Sequence, residues 1–265
     1  MIRCMRLVPA LVRFSTARVM AYRAEMVIWI LSASLPLVML ALWNAVAAEG
    51  PIAGMGQGEM ARYFAATLLV NQLTGVWIVW QLNYEIRTGL LSTQLLRPVH
   101  PLWHNAVWMM TALPIRALVM LPILGALLAW RPDLWVRPDP LMLPVFALSV
   151  AMAWALAFLV QATFAILSFW LDQSIGLFGV WYSGWALLSG YVAPLALFPD
   201  WAQRPLRFSP FRAMLGLPVE LLGGFVSPRE VGLDLAVQAG WVLGALVLVR
   251  VLWRRGLRHY GAYGA

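Results

Sequence analysis

Residues 141–171 read LMLPVFALSVAMAWALAFLVQATFAILSFWL. That run exceeds the roughly 20 apolar residues needed to cross about 30 Å of hydrocarbon at 1.5 Å per residue. Inside lipid the backbone must hydrogen-bond to itself, which for so long a run means a helix. Similar runs lie on either side: 26–48 with a kink expected at Pro36, 62–82, a stretch within 104–130 containing Pro114 and Pro122, 174–199, and 231–253. The fold class expected is an all-α membrane protein with six transmembrane helices, one domain spanning residues 1–265.

Composition agrees. Hydrophobic residues make up 62% of the chain and charged ones 11%, against about 25% charged in soluble domains. All 19 basic residues are Arg. Without Lys there is neither a P-loop for nucleotide phosphates nor a Schiff-base amine. The chain is therefore not expected to be a P-loop ATPase or a Schiff-base enzyme; no Ser-His-Asp or paired-carboxylate pattern stands out either, so no enzyme is expected and no catalytic residues are assigned. The net charge of +8 is read as membrane topology and attraction to anionic lipid, not nucleic-acid binding, because the Arg residues flank apolar runs. Cys4 is the only cysteine, so no internal disulfide is possible.

Arg placement gives an orientation. Arg3, Arg6, Arg13, Arg18 and Arg23 precede the first run; Arg250, Arg254, Arg255 and Arg258 end or follow the last. The positive-inside rule puts both termini in the cytoplasm of a multi-pass inner-membrane protein. Residues 83–103 are then cytoplasmic and 200–230 external. Trp43, Trp130 and Trp201 fit an outer interfacial belt, and Trp80, Trp103, Trp170 and Trp253 an inner one. Residues 2–24 pattern as a basic amphipathic helix in the membrane interface, the alternative being a plain cytoplasmic extension.

The 84–98 loop begins with Glu85 and Arg87, continues with Gly89, places Leu90, Leu91, Leu95 and Leu96 on one side of a short helix, and stops at Pro98. Such a helix either serves as a lever for a cytoplasmic partner or only anchors its loop. The spacing Glu85-x-Arg87-x-Gly89-Leu90-Leu91, then Leu95-Leu96-x-Pro98, resembles the coupling-helix segment of ABC-2 type transporter permeases. A second resemblance to that family lies in Ser189-Gly190-Tyr191, Pro194-Leu195, Phe198-Pro199-x-Trp201 and Ser209-Pro210-Phe211, which look like its passage from the fifth span into short external re-entrant helices. The wording is closest to the viologen-exporter-like subfamily.

The resemblance implies a half-transporter that exports its substrate. Residues 85–98 would dock on a separate ABC ATPase subunit, which binds ATP and Mg; this chain binds no cofactor. A second permease, a related heterodimer partner or another copy of this chain, would complete the assembly. The aromatic, apolar spans suit a hydrophobic or amphipathic substrate.

Within the runs, Asn71 and Thr74 share a face with Thr67 one turn earlier, and Gln161 is a further polar residue. Polar groups in hydrocarbon need partners. These four either line a substrate pathway or act as hydrogen-bond glue between helices. Arg116 is the only Arg well inside a run; an intramembrane Arg marks a functional site by default, but snorkelling to the inner headgroups is the favoured reading. Gly240 and Gly244 form a weak GxxxG, and Gly176, Gly179 and Gly184 read as packing notches. His100 and His104 have i, i+4 spacing but no neighbouring carboxylate or Cys, so no metal site is assigned. Two rivals stand beside the permease reading. An ion-coupled secondary transporter would need acidic groups in the spans, where only Asp172 and Asp234 lie, both near ends. The other is a membrane scaffold or assembly subunit.

Overall fold

The computed structural model describes residues 34–131, 140 and 142–260. The interfacial helix expected at 2–24 and the Arg residues before the first run lie outside them. The described residues form helices without strands: α1 (Ser34–Val46), α2 (Gln57–Thr74), α3 (Ile78–Arg87), α4 (Leu90–Leu95), α5 (Pro101–Trp130), α6 (Met142–Ile166), α7 (Ser174–Leu188), α8 (Asp200–Arg207), α9 (Leu217–Gly223) and α10 (Val231–His259). Four stretches are long and apolar enough to cross a membrane: Gln57–Arg87, Pro101–Ala129, Met142–Phe169 and Val231–His259. Two shorter apolar helices, α1 and α7, pack against this group.

Two ends can be distinguished. One gathers the turn after α3, residues 167–173 and the end of α10: Arg87 Nη1 donates to the Asp172 carbonyl at 3.0 Å, and Phe169 packs edge-on against Trp253 and Tyr260. The opposite end gathers the residues after α1, the start of α2 and the elbow from 189 to 230. There Tyr63 Oη donates to the Gly190 carbonyl at 3.0 Å and Trp43 Nε1 to the Val192 carbonyl at 2.8 Å. Between the ends the core is apolar and aromatic, with Tyr63, Phe64, Met60, Leu82, Leu156 and Ile166 fully enclosed.

The structure departs from the sequence expectation at two spans. The run 174–199 is helical only to Leu188. Gly190 then takes a positive φ of 91° with Tyr63 against its α-carbon, a conformation and an approach that no other residue tolerates as easily. The freed carbonyls of Gly190 and Val192 are taken up by the Tyr63 and Trp43 donors, as buried backbone requires. The run 62–82 starts earlier, at Gln57, and is interrupted between Thr74 and Ile78.

The elbow is held by charge. Arg212 lies in a π-helical turn, Arg212–Gly216. It bonds Glu220 Oε2 through Nη2 at 2.6 Å and Asp234 Oδ2 at 3.0 Å. Arg207 bonds Asp234 Oδ1 through Nε at 2.9 Å and Glu230 Oε1 through Nη1 at 3.0 Å. Burial pushes the Glu220 carboxyl up from its ordinary value against the pull of Arg212. Burial also works against the Arg212 charge, but Glu220 and Asp234 outweigh it and leave the guanidinium more firmly protonated. Beneath this cluster, Gln238 donates to the Ser149 and Ala213 carbonyls, both at 2.9 Å, tying α10 to α6 and the π-turn.

Candidate functional site

The interruption of the second span is the centre of the site. Thr74 ends α2, Gly75 has an extended ψ of 123°, and Trp77 precedes α3 with φ −136° and ψ 24°. Unwinding releases backbone groups that membrane depth would leave unpaired, so non-helical backbone survives there only when protein or a water-filled cavity receives it. Two side chains from neighbouring helices do this. Arg116 Nη1, from the middle of α5, donates to the Gly75 carbonyl at 2.6 Å. Gln161, from α6, donates through Nε2 to the Val76 carbonyl at 2.6 Å and accepts the Val79 N–H at 3.4 Å.

Arg116 therefore does not snorkel to the headgroups. It is buried and its guanidinium lies over Gly75, where an added β-carbon would sit 3.0 Å from Nη1. An interior backbone acceptor at bonding distance competes successfully with the interface.

Around the break opens a cavity of about 300 Å³. Asn71, Gln72, Thr74, Gln161 and Arg116 contribute polar lining. Trp77, Trp80, Phe178, Trp181, Tyr182 and Trp185 supply aromatic walls, Trp77 meeting Trp80 at 5.3 Å and Trp80 meeting Phe178 edge-on at 5.4 Å between centroids. Three of the four polar residues picked from the sequence thus meet in one space. Thr67 does not: it is buried elsewhere on α2 and donates to its own helix at the Tyr63 carbonyl, 2.8 Å. Sequence reading missed the aromatic wall, because α7 shows no clear hydrophobic face and the ring cluster exists only once α7 packs beside α3. Trp80 had been expected in an interfacial belt, as had Trp253, which is buried under Phe169 and His100.

Below the break, α3 is fixed laterally. Asn83 Nδ2 donates to Ser174 Oγ at 2.7 Å. Glu85 is buried, and its Oε1 accepts from Gln81 Nε2 at 2.6 Å. Arg87 is tied to the Asp172 carbonyl. Of the pair read as a charged turn, then, Glu85 faces inward and only Arg87 is exposed. Gly89, at φ 78°, reverses the chain into α4, a left-handed position suited to glycine. The four leucines divide: Leu91 is fully buried, whereas Leu90, Leu95 and above all Leu96, 88% exposed, point outward. Pro98 is exposed in the link to α5. His100 caps α5, its Nδ1 accepting the Leu102 N–H at 3.2 Å, with Pro101 following in the first turn.

The glycine expectations split. Among the described residues only Gly184 of its trio has a neighbour near its β-position, Phe211 at 3.9 Å; Gly176, Gly179, Gly240 and Gly244 have none there.

A model of the family described as ABC-2 family transporter protein matches residues 28–264. The chain belongs to that family. A search of curated proteins gives no match. As an ABC-2 family chain it is a membrane transport component and not itself an ATPase, and permeases of the family normally work with an ABC ATPase. Its long apolar helices agree with a place in the membrane.

Proposed function

We propose that this ABC-2 chain is the permease subunit of an ATP-driven exporter for a hydrophobic or amphipathic substrate, and that residues 85–98 couple it to the ATPase. One observation carries the reading: an exposed leucine turn, a short fixed helix and a cavity-lining break follow one another along the chain. Leu90, Leu95 and Leu96 offer an apolar knob. The turn leads back through Gly89 into α3, whose upper end is the break at Gly75–Trp77, and the break lines the cavity. Movement imposed on α4 by an ATPase groove would tilt α3 about the break and reshape the cavity wall. Glu85 and Arg87 act as internal ties that keep α3 rigid, while Leu90, Leu95, Leu96 and Pro98 meet the partner. Asn71, Thr74 and Gln161 line the pathway, with Gln161 also serving as glue.

Counting α1 and α7 as crossings gives six spans within one domain, both termini in the cytoplasm, the elbow outside and an inner-membrane location. The segments quoted above favour the viologen-exporter-like subfamily and a second permease, related or identical. ATP and Mg belong to the ATPase; lipid, not nucleic acid, surrounds this chain. The ion-coupled alternative is disfavoured because Asp234 is already held by Arg207 and Arg212.

The test is a mild-detergent pull-down from the native membrane with mass spectrometry, comparing the natural chain with Leu95→Asp/Leu96→Asp. Recovery of a P-loop ATPase with the natural chain and its loss from the variant, at unchanged thermal stability, is the expected result. No ATPase with either chain, or equal recovery with both, would sink the coupling assignment.

A further inference from the structure

The elbow end holds a second cavity, of about 440 Å³, within the size range of small-ligand sites. Leu195 and Phe225 contribute apolar wall; Arg204, Arg207, Glu220 and Glu230 contribute charge. The arginines are not equally occupied. Arg212, which also lines the space, is held by Glu220 and Asp234. Arg207 spends Nε and Nη1 on Asp234 and Glu230, and its Nη2 is enclosed, out of reach of solvent, with no acceptor among the described residues. Arg204 lies three residues earlier on α8, on the same side of the helix, and forms no ion pair among the described residues. Arg204 thus keeps an unspent guanidinium, whose planar fork of donors suits an oxyanion.

The surface at this end indicates what carries that oxyanion. Trp201 is 78% exposed, and Phe208 and Trp241 stand exposed at the same end, with Trp241 Nε1 donating to the Phe208 carbonyl at 2.8 Å. Exposed Trp side chains on a membrane protein belong at headgroup depth. With the elbow outside, as proposed above, this end of the chain lies at the depth of lipid phosphates.

We propose that this cavity binds the phosphodiester headgroup of an amphiphile. The phosphate oxygens accept from Arg204, and the first tail carbons lie on Leu195 and Phe225. The site is independent of the coupling assignment, since it shares no residue with the 85–98 loop.

The experiment is native mass spectrometry of the full chain in a phosphate-free detergent, titrated with dihexanoylphosphatidylglycerol, dihexanoylglycerol or inorganic phosphate. Arg204→Ala is compared with Arg229→Ala, which removes the same charge from an exposed elbow position outside the cavity. Arg204→Gln serves as the second variant should Arg204→Ala be recovered poorly. The expected result is phosphatidylglycerol binding that Arg204→Ala weakens about tenfold or more and Arg229→Ala changes less than about twofold. Equal weakening by both variants would reduce the effect to surface charge. Equal binding of dihexanoylglycerol would leave only an apolar hole, and inorganic phosphate competing at the same concentration would make it a free-anion site. Any of these overturns the proposal.

Discussion

Replacing Gln161 with Leu tests whether the break in the second span is held from outside. Leu keeps most of the volume but removes both bonds, leaving the Val76 carbonyl and the Val79 N–H facing an apolar group. The Val76 bond is short, 2.6 Å, and the Val79 bond long, 3.4 Å. An unsatisfied buried backbone group costs about 1–3 kcal/mol, and the long bond contributes the smaller share. Hydrogen bonds between membrane helices average nearer 0.6 kcal/mol, because an unfolded segment in lipid also finds partners. Here the acceptor is a carbonyl already released from its helix, so a loss of about 2 kcal/mol is expected. Denaturant unfolding in mixed micelles measures the loss, and hydrogen exchange localises it. The Val79 amide should lose protection while amides of α6 near Ser149 do not. A change under about 0.5 kcal/mol with unaltered exchange at Val79 would refute the argument.

Three further outcomes follow from the geometry. Asp234→Asn leaves Arg207 and Arg212 short of their shared carboxylate and should cost about 3 kcal/mol or more, read as loss of cooperative unfolding at the elbow; an effect under about 1 kcal/mol would mean that Glu220 and Glu230 suffice. Gly190→Ala should destabilise by about 1–2 kcal/mol through its positive φ alone, more through the Tyr63 contact, and adding Tyr63→Phe should recover only the contact part. His100 should make stability pH-dependent: partial burial lowers its pKa from 6.5, so the neutral ring that caps α5 is favoured in the fold. Its contribution is complete above that value and is lost as pH falls through the lowered folded value. His100→Asn, a cap that does not titrate, should flatten the dependence in thermal scans between pH 7 and pH 5.

The membrane character of the chain was legible because hydropathy over a long run needs no partner to be read. Residues 141–171 and 231–253 appear as α6 with its following turn and as α10. The turn at Gly89 and the short helix after it were legible too, through glycine and proline punctuation. The break inside 62–82 was not: Gly75 is one glycine in an apolar run, and a glycine there is tolerated in a continuous helix. The direction of Arg116 was equally hidden, since the sequence shows a charge in a span but not the acceptor 41 residues away that draws it inward.

By itself, then, the sequence determined what each segment could do in lipid: which runs must be helical, which termini turn, and which residues carry charge into an apolar solvent. Tertiary structure decided where the backbone escapes the helix. Unwinding at Gly75–Trp77 and beyond Leu188 is stable only because Arg116, Gln161, Tyr63 and Trp43 from other elements receive the freed carbonyls. The same packing turned Leu91 and Glu85 inward and left Leu96 outside. A side chain's partner depends on which helices meet, and local pattern specifies the face of a helix without naming what will lie against it.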